Sequence, residues 1–327
     1  MSSPRVTVVP YLDIINEGDD FPIPQQNVNK WITTKKAHYD LRVNGVEPPV
    51  GIVHPTVVDA LREQPGWDIN DTADFRTITI EGNDEASRSE AVARTFASLR
   101  GMDKFVVLSR WRDELKPAYG PNNEILFNVE RAAVPLLGIV SYGVQLSVYS
   151  YDVDTKLPRI WISKRSMTTA NYPGLLDNTT AGGCRTGEDP FESVVREAKE
   201  EASLPDDVVR SSARACGTIG YFHFRDDKAI GETYLLQPEI EFLYEMELPD
   251  GVQPETNDHE VEWFQLWDVE MIKDGLTQRL FKPSYTLVIV DFFVRHGVLT
   301  PSNEPDYVDI VSRLHRVLEF PMMKCRI

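Results

Sequence analysis

The chain holds 327 residues, 42% of them hydrophobic and 26% charged, which is enough apolar material to bury sizeable cores without disulfide or metal staples. Its 34 Lys and Arg face 51 Asp and Glu for a formal charge of -17, and such a surface excludes sequence-independent binding to a nucleic-acid backbone. A phosphorylated small molecule is still admissible, because local cations or a divalent ion can reverse the potential inside one cleft.

Residues Met1–Leu12 carry one Arg and no long apolar run, so no secretory signal is expected. From Val6 to about Arg131 short strand and helix patterns alternate without an internal repeat, and residues 1–134 are read as one α+β unit. Within it, β-branched residues predict strands at Arg76–Ile80 and Lys104–Leu108, and the spacing of Ala86, Ala91, Val92, Phe96 and Leu99 predicts a helix over Asp84–Leu99. Trp111-Arg112-Asp113-Glu114-Leu115, followed by Tyr119-Gly120, reads as a helix end and turn held by ion pairs.

A second unit is expected over 135–300. Alternation predicts strands at Gln145–Tyr151 and Arg159–Lys164, a loop over Asn171–Asn178, and further strands at Gly217–Phe224, Glu239–Leu248 and Val261–Trp267. Pro283–Gly297 reads as a buried helix with Pro near its start and Gly at its stop; its apolar run falls short of the roughly 20 residues that cross a bilayer, so no membrane partner is expected. Asp306–Leu318 is predicted as an amphipathic helix, and 301–327 as a helical tail packing on the body. Oligomeric state is left open.

Cys184, Cys216 and Cys325 are few and far apart, which suits reduced thiols in the cytoplasm, with the nucleus as a further possibility. Cys184 is read as a small buried thiol, and the six histidines show no zinc-binding spacing. Tyr221, Phe222 and Phe224 are expected to be core residues of a strand, with stacking on a ligand ring as the alternative.

The densest signals lie between Gly182 and Leu204. Asp189 suits an N-cap, Pro190 the first helical position and Glu192 a capping box, while Pro205 stands just beyond the far end. Phe191, Val194, Val195, Ala198 and Ala202 form one apolar stripe for docking on a sheet. Glu197, Glu200 and Glu201 share an adjacent face, where like charges three and four residues apart call for a counter-ion. Oxygen ligands on a rigid face suit a hard cation that also binds phosphates, namely Mg²⁺ or Mn²⁺.

The run from Gly182 through Glu188 to Arg196-Glu197-Ala198-Lys199-Glu200-Glu201-Ala202-Ser203-Leu204 resembles the Nudix box. Only Ser203 departs from the pattern, standing where the family has Gly at the helix end. The resemblance implies an α/β/α sandwich with a mixed sheet, preceded by a smaller α+β domain. It makes Glu200 and Glu201 the principal metal ligands, Glu197 a further ligand or the residue that polarises the attacking water, and turns the backbone of Gly182 toward the metal. Glu188 and Arg196 become a brace for the loop that carries Gly182 and Gly183. Glu260, in Asp-His-Glu-Val, is similar to a distal glutamate that Nudix enzymes use as an extra ligand or base.

Further stretches, among them Trp111–Glu114, Tyr142-Gly143-Val144, Trp161–Arg165, Tyr172–Asn178 and Asn303–Tyr307, resemble a fungal and plant branch in which the Nudix domain is related to thiamine pyrophosphokinase proteins. That implies hydrolysis of thiamine diphosphate, or of its oxidised or deaminated forms, to the monophosphate plus phosphate. Gln145, Ala170 and His259 depart from that branch. With no charge at Ala170, phosphate neutralisation is expected to fall to the metal and to Lys164, Arg165 and Arg185. A nucleoside diphosphate derivative such as ADP-ribose is the alternative substrate, and a non-catalytic metabolite-binding protein the alternative of another class.

Overall fold

The computed structural model describes residues 9–249, 251–257 and 259–325. The reading of residues 1–8 therefore lies outside the described residues, as do the last two positions of the tail.

The first part of the chain runs α1 (Tyr11–Gly18), α2 (Pro24–Ala37), β1 (Tyr39–Val43), β2 (Gly51–Val53), α3 (Pro55–Leu61), β3 (Trp67–Asn70), β4 (Thr77–Ile80), α4 (Glu85–Gly101), β5 (Leu115–Tyr119), β6 (Ile125–Glu130) and α5 (Val134–Leu137). Strands β1 to β4 form a sheet ordered β2-β1-β4-β3, with β1 and β4 parallel, while β5 and β6 make a separate antiparallel pair. Alternation puts Leu41, Val43, Ile78 and Ile80 in one core with Val92, Phe96 and Leu99 of α4. Asp84 starts α4 through a reciprocal cap, its carboxylate accepting from the Ser87 N–H at 2.8 Å while the Ser87 hydroxyl accepts from the Asp84 N–H at 3.2 Å.

Two expectations fail here. Lys104–Leu108 is no strand; Val106–Arg110 forms a 3₁₀ turn. The Glu232 carboxylate, far along the chain, accepts from the backbone N–H groups of Val106 and Val107, and Val107 and Leu108 bury in the core, so tertiary contacts override β-propensity. The segment after Trp111 is an extended run into β5 rather than a helix end, although its ion pairs are present, Glu114 meeting Lys116 at 2.6 Å and Arg131 at 3.0 Å.

The second part runs β7 (Ser141–Tyr151), β8 (Pro158–Arg165), β9 (Leu176–Asp177), β10 (Thr180–Gly183), α6 (Pro190–Ala202), α7 (Asp206–Ser212), β11 (Arg214–Phe224), β12 (Leu236–Glu247), β13 (Val261–Trp267), α8 (Val269–Thr277), α9 (Pro283–Arg295) and α10 (Tyr307–Leu314). Its mixed sheet is ordered β11-β12-β7-β8-β13, with β10 added to β7 and β9 to β8; β7 and β12 are parallel and the other pairs antiparallel. Val144, Leu146 and Val148 pack with Val194, Val195, Ala198 and Ala202 of α6, whereas Tyr149, Ile160, Ile162 and Tyr221 join a second core with α8, α9 and α1. The architecture is the α/β/α sandwich expected, preceded by an α+β unit. No helix among the described residues is long and apolar enough to cross a membrane.

Helix α1 packs on α9 of the second part, not on the sheet it precedes. Helix α10 stops at Leu314, four residues short of the predicted end, and the chain continues without helix, its Arg313 and Arg316 meeting the buried Asp19 carboxylate at 2.9 and 2.7 Å. Further on, Asn123 and Lys324 exchange hydrogen bonds of 3.1 and 2.7 Å, which returns the tail to the first part.

Helix α6 begins as its sequence implies, the Asp189 carboxylate accepting from the Phe191 N–H at 2.8 Å and Pro190 following. The capping box does not form: Glu192 instead binds Arg210 of α7 through two bonds of 2.7 Å. Ser203 ends the helix in the left-handed region at φ 54°, the conformation for which glycine is favoured.

Candidate active site

One cleft of about 360 Å³ opens between the two parts of the chain, lined on one side by β10 and Glu201 of α6, and on the other by Lys116, Arg131 and Val134. The stripe that seats α6 on the sheet turns Glu201 inward. Glu201 is buried and accepts from the Ala181 N–H at 3.0 Å; burial, aided by nearby Glu197, pushes its carboxyl well above the ordinary range. Burial also raises Glu197, against the pull of Arg196. A Cβ on Gly182 would collide with the Glu197 carboxylate, so glycine is what allows Glu197 to sit against β10.

Arg196 organises the loop. Its Nε and Nη2 donate to the two Glu188 oxygens at 2.9 and 3.0 Å, and its Nη1 reaches Glu197 at 2.6 Å and Glu200 at 3.4 Å. Burial alone would raise Glu188, but Arg196, the Ser193 hydroxyl at 2.7 Å and the Arg185 N–H at 3.1 Å hold it down at about 2.

The three box glutamates do not close on one point. Glu200 is 52% exposed, the Arg196 guanidinium stands beside Glu197 and Glu200, and among the described residues no three His, Cys, Asp or Glu side chains form a group that could hold a metal. The chemistry of the donors nevertheless fits a hard divalent cation. Glu197 and Glu201 are two carboxyls raised by burial, Glu197 against the pull of Arg196, beside the Gly182 backbone whose carbonyl adds a further oxygen, and such cations complete their shells with water and substrate oxygens.

Glu260 is brought to the same cleft, close enough for its charge to raise Glu201 further, and pairs with Arg112 at 3.9 Å. Arg165 lines the cleft while bonded to Asp177 at 2.9 Å. Lys164, its neighbour on β8, alternates away and pairs with Glu262 at 3.0 Å, and Arg185 is exposed, its backbone N–H donating to the Glu188 carboxylate and its carbonyl accepting from the Glu188 N–H; neither lines the cleft. Gly183 lines it beside Lys116. Cys184 is buried and burial pushes its thiol up to about 11, as suits a packing residue. Tyr221 and Phe222 are core side chains, whereas Phe224 is partly exposed at the cleft.

Sequence reasoning missed the cations opposite. Lys116 on β5, Arg131 after β6 and Lys282 before α9 all line the cleft from outside the box, and only the tertiary fold brings them there. It also missed Glu241 of β12, whose carboxyl accepts from Tyr221 at 3.1 Å. Burial, with Glu239 beside it and against the pull of Lys282, pushes Glu241 up to about 8. A carboxyl raised in the folded state contributes stability that is intact below its ordinary 4.5 and is lost as pH rises through 8. The metal-free chain should therefore lose on the order of a few kcal/mol between pH 5 and 8.5 by urea denaturation. Glu241→Gln should flatten that slope; parallel profiles for both proteins would refute the link.

Known proteins resemble both parts of the chain. Residues 24–141 match the family model called Domain of unknown function (DUF4743), and residues 142–285 match the NUDIX domain. Nudix hydrolase 20, chloroplastic, of Arabidopsis thaliana is 32% identical over 280 residues, 82% of this chain and 71% of that protein. An uncharacterized protein of Saccharomyces cerevisiae is 36% identical over 217 residues, 65% of this chain; the match spans 63% of the yeast protein's length. Among solved structures, the MutT protein from Methanosarcina mazei aligns over 49% of this chain and 94% of its own at 15% identity and a TM-score of 0.35. The chain belongs to the Nudix hydrolase family, whose class of reaction is hydrolysis of phosphorus-containing anhydrides.

Proposed function

We propose that the chain is a Mg²⁺- or Mn²⁺-dependent diphosphatase that converts thiamine diphosphate, or its oxidised or deaminated forms, to the monophosphate and phosphate. The observation that carries the diphosphatase reading is the pair of carboxyls that burial raises above their ordinary range, Glu201 lining the cleft and the part-buried Glu197 beside it against Gly182. The thiamine half rests on the wider resemblance of the chain, from Trp111 to Tyr307, to the thiamine-linked branch.

Glu197 and Glu201 would hold the cation, with Glu200 swinging in from its exposed position and the Gly182 carbonyl completing the protein's share. The ion supplies Lewis-acid stabilisation of the diphosphate charge. Arg196 and Glu188 keep the Gly182–Glu188 loop in register with α6, so that the carboxylates are placed before substrate arrives. Glu260, which lines the same cleft near Glu201, would accept a proton from the attacking water. Arg165, fixed by Asp177, faces the substrate from β8. The three free cysteines support a reducing compartment, for which we propose the cytoplasm.

Phosphate release with Mg²⁺ tests the reading, using thiamine diphosphate and its oxidised analogues beside ADP-ribose and NADH at equal concentration. Preferential release from the thiamine compounds, with the monophosphate as co-product, is expected. Turnover of the nucleotides alone, to two monophosphates, would keep the diphosphatase chemistry and overturn the substrate. Tight ligand binding with no hydrolysis of any anhydride would make the chain a metabolite-binding protein.

A further inference from the structure

A diphosphate brings concentrated negative charge, and a chain of net charge -17 has to meet it with cations placed locally. The Nudix part offers few that are uncommitted: Lys164 and Arg185 lie outside the cleft, Arg165 and Lys282 are both paired with Asp177, Arg225 is bonded to Gln237 and the Ile230 carbonyl, and Arg196 is engaged with three glutamates. The cations that stand over the Gly182-Gly183 loop come from the other module.

Lys116 is only 9% exposed, yet it lines the cleft. Its ammonium pairs with Glu114 at 2.6 Å and donates to the Cys184 carbonyl, and a Cβ on Gly183 would come within 3.0 Å of Nζ. An ammonium has three donors; these two partners leave one. Arg131 is 42% exposed and bonds Glu114 at 3.0 Å, and its charge reaches far enough to lower Glu197. One carboxylate, Glu114, thus holds two cations side by side across from the box. The Thr186 hydroxyl donates to the Leu115 carbonyl at 3.0 Å, fixing the loop to the same strand.

We propose that the N-terminal module, the part matching the domain of unknown function, supplies the cationic half of the anhydride site. Lys116 and Arg131 bind the phosphate oxygens of the substrate, and Glu114 is the positioning residue that holds them. The site is split between the modules: carboxylates for the cation from α6, cations for the phosphates from β5 and the end of β6. The identity of the substrate rests on the reading above; the affinity for a phosphate anhydride does not.

The test uses the full chain and inorganic pyrophosphate as probe, titrated by calorimetry in EDTA so that no metal contributes, into the wild type, Lys116→Met, Arg131→Met and Arg131→Lys. Each Met variant is expected to weaken pyrophosphate binding tenfold or more, with a smaller loss for orthophosphate and partial recovery in Arg131→Lys. In turnover with Mg²⁺, KM should rise by more than kcat falls. Arg131 is partly exposed and its replacement leaves the core intact, so it carries the test even where Lys116→Met fails to fold. Pyrophosphate affinity within twofold of wild type in Arg131→Met, with KM unchanged, would overturn the proposal. A wild type that hydrolyses no anhydride but binds pyrophosphate through Arg131 would instead sink the proposed function and leave this inference standing.

Discussion

Glu201→Gln is expected to lower kcat by roughly 10²–10³-fold, the scale of losing one preorganised electrostatic contact, while the metal-free protein melts at the same temperature or higher. Glu201 is 9% exposed, and its carboxylate accepts from the Ala181 N–H at 3.0 Å. The amide oxygen of Gln can accept that same bond in nearly the same shape. What disappears is a carboxyl that burial already penalises, so stability has little to lose. The proposed metal holder loses its charge, and with it the field that meets the diphosphate. Phosphate release and thermal melts on one preparation separate the two effects, and normal turnover by the variant would end the assignment.

Gly182→Ala should cost about 10²-fold in kcat through displacement alone, the usual price of about 1 Å of misplacement in a reacting constellation. The added Cβ meets the Glu197 side chain, which has no free direction of retreat because Arg196 grips its other side at 2.6 Å. Gly182 also pairs with Val144 across β10 and β7, so a backbone shift would disturb the sheet, and a loss of about 1–3 kcal/mol in stability should accompany the slower turnover. Steady-state kinetics with urea midpoints check both; full activity in this variant would show that the seat of Glu197 on β10 is not used.

Helix α6 was legible almost to the residue because cap, proline, apolar stripe and stop all lie within one short stretch, where local chemistry decides the outcome. Its one misreading, the capping box, failed because Glu192 found a better partner in Arg210 on the next helix. The major strands of the second part were read from alternation for the same local reason. Lys104–Leu108 was not, since the N–H groups of Val106 and Val107 are satisfied by Glu232, 125 residues and more away. The site divides along the same line. Glu197 and Glu201 follow from helix geometry and the Glu188–Arg196 pair from the resemblance to the Nudix box, whereas Lys116, 68 residues before the Cys184 carbonyl it meets, carries no local mark of its destination. Lys164 and Arg165 show how fine the limit is: alternation says that the two face opposite ways, but not which one faces the cleft.

The two ends of the described chain are crossed over. Helix α1 precedes the first sheet in sequence but buries Tyr11, Ile14 and Ile15 against the second core, Phe21 stacks on Phe222 with ring centroids 4.0 Å apart, and the buried Asp19 is clasped by Arg313 and Arg316 from beyond α9. The tail then passes back to Asn123. Cutting between residues 141 and 142, where the two family matches meet, would therefore not release two autonomous proteins. It would strip an apolar helix from one fragment and leave a buried carboxylate without its guanidinium partners in the other. In this chain the two matched regions therefore share their cores and fold as one unit.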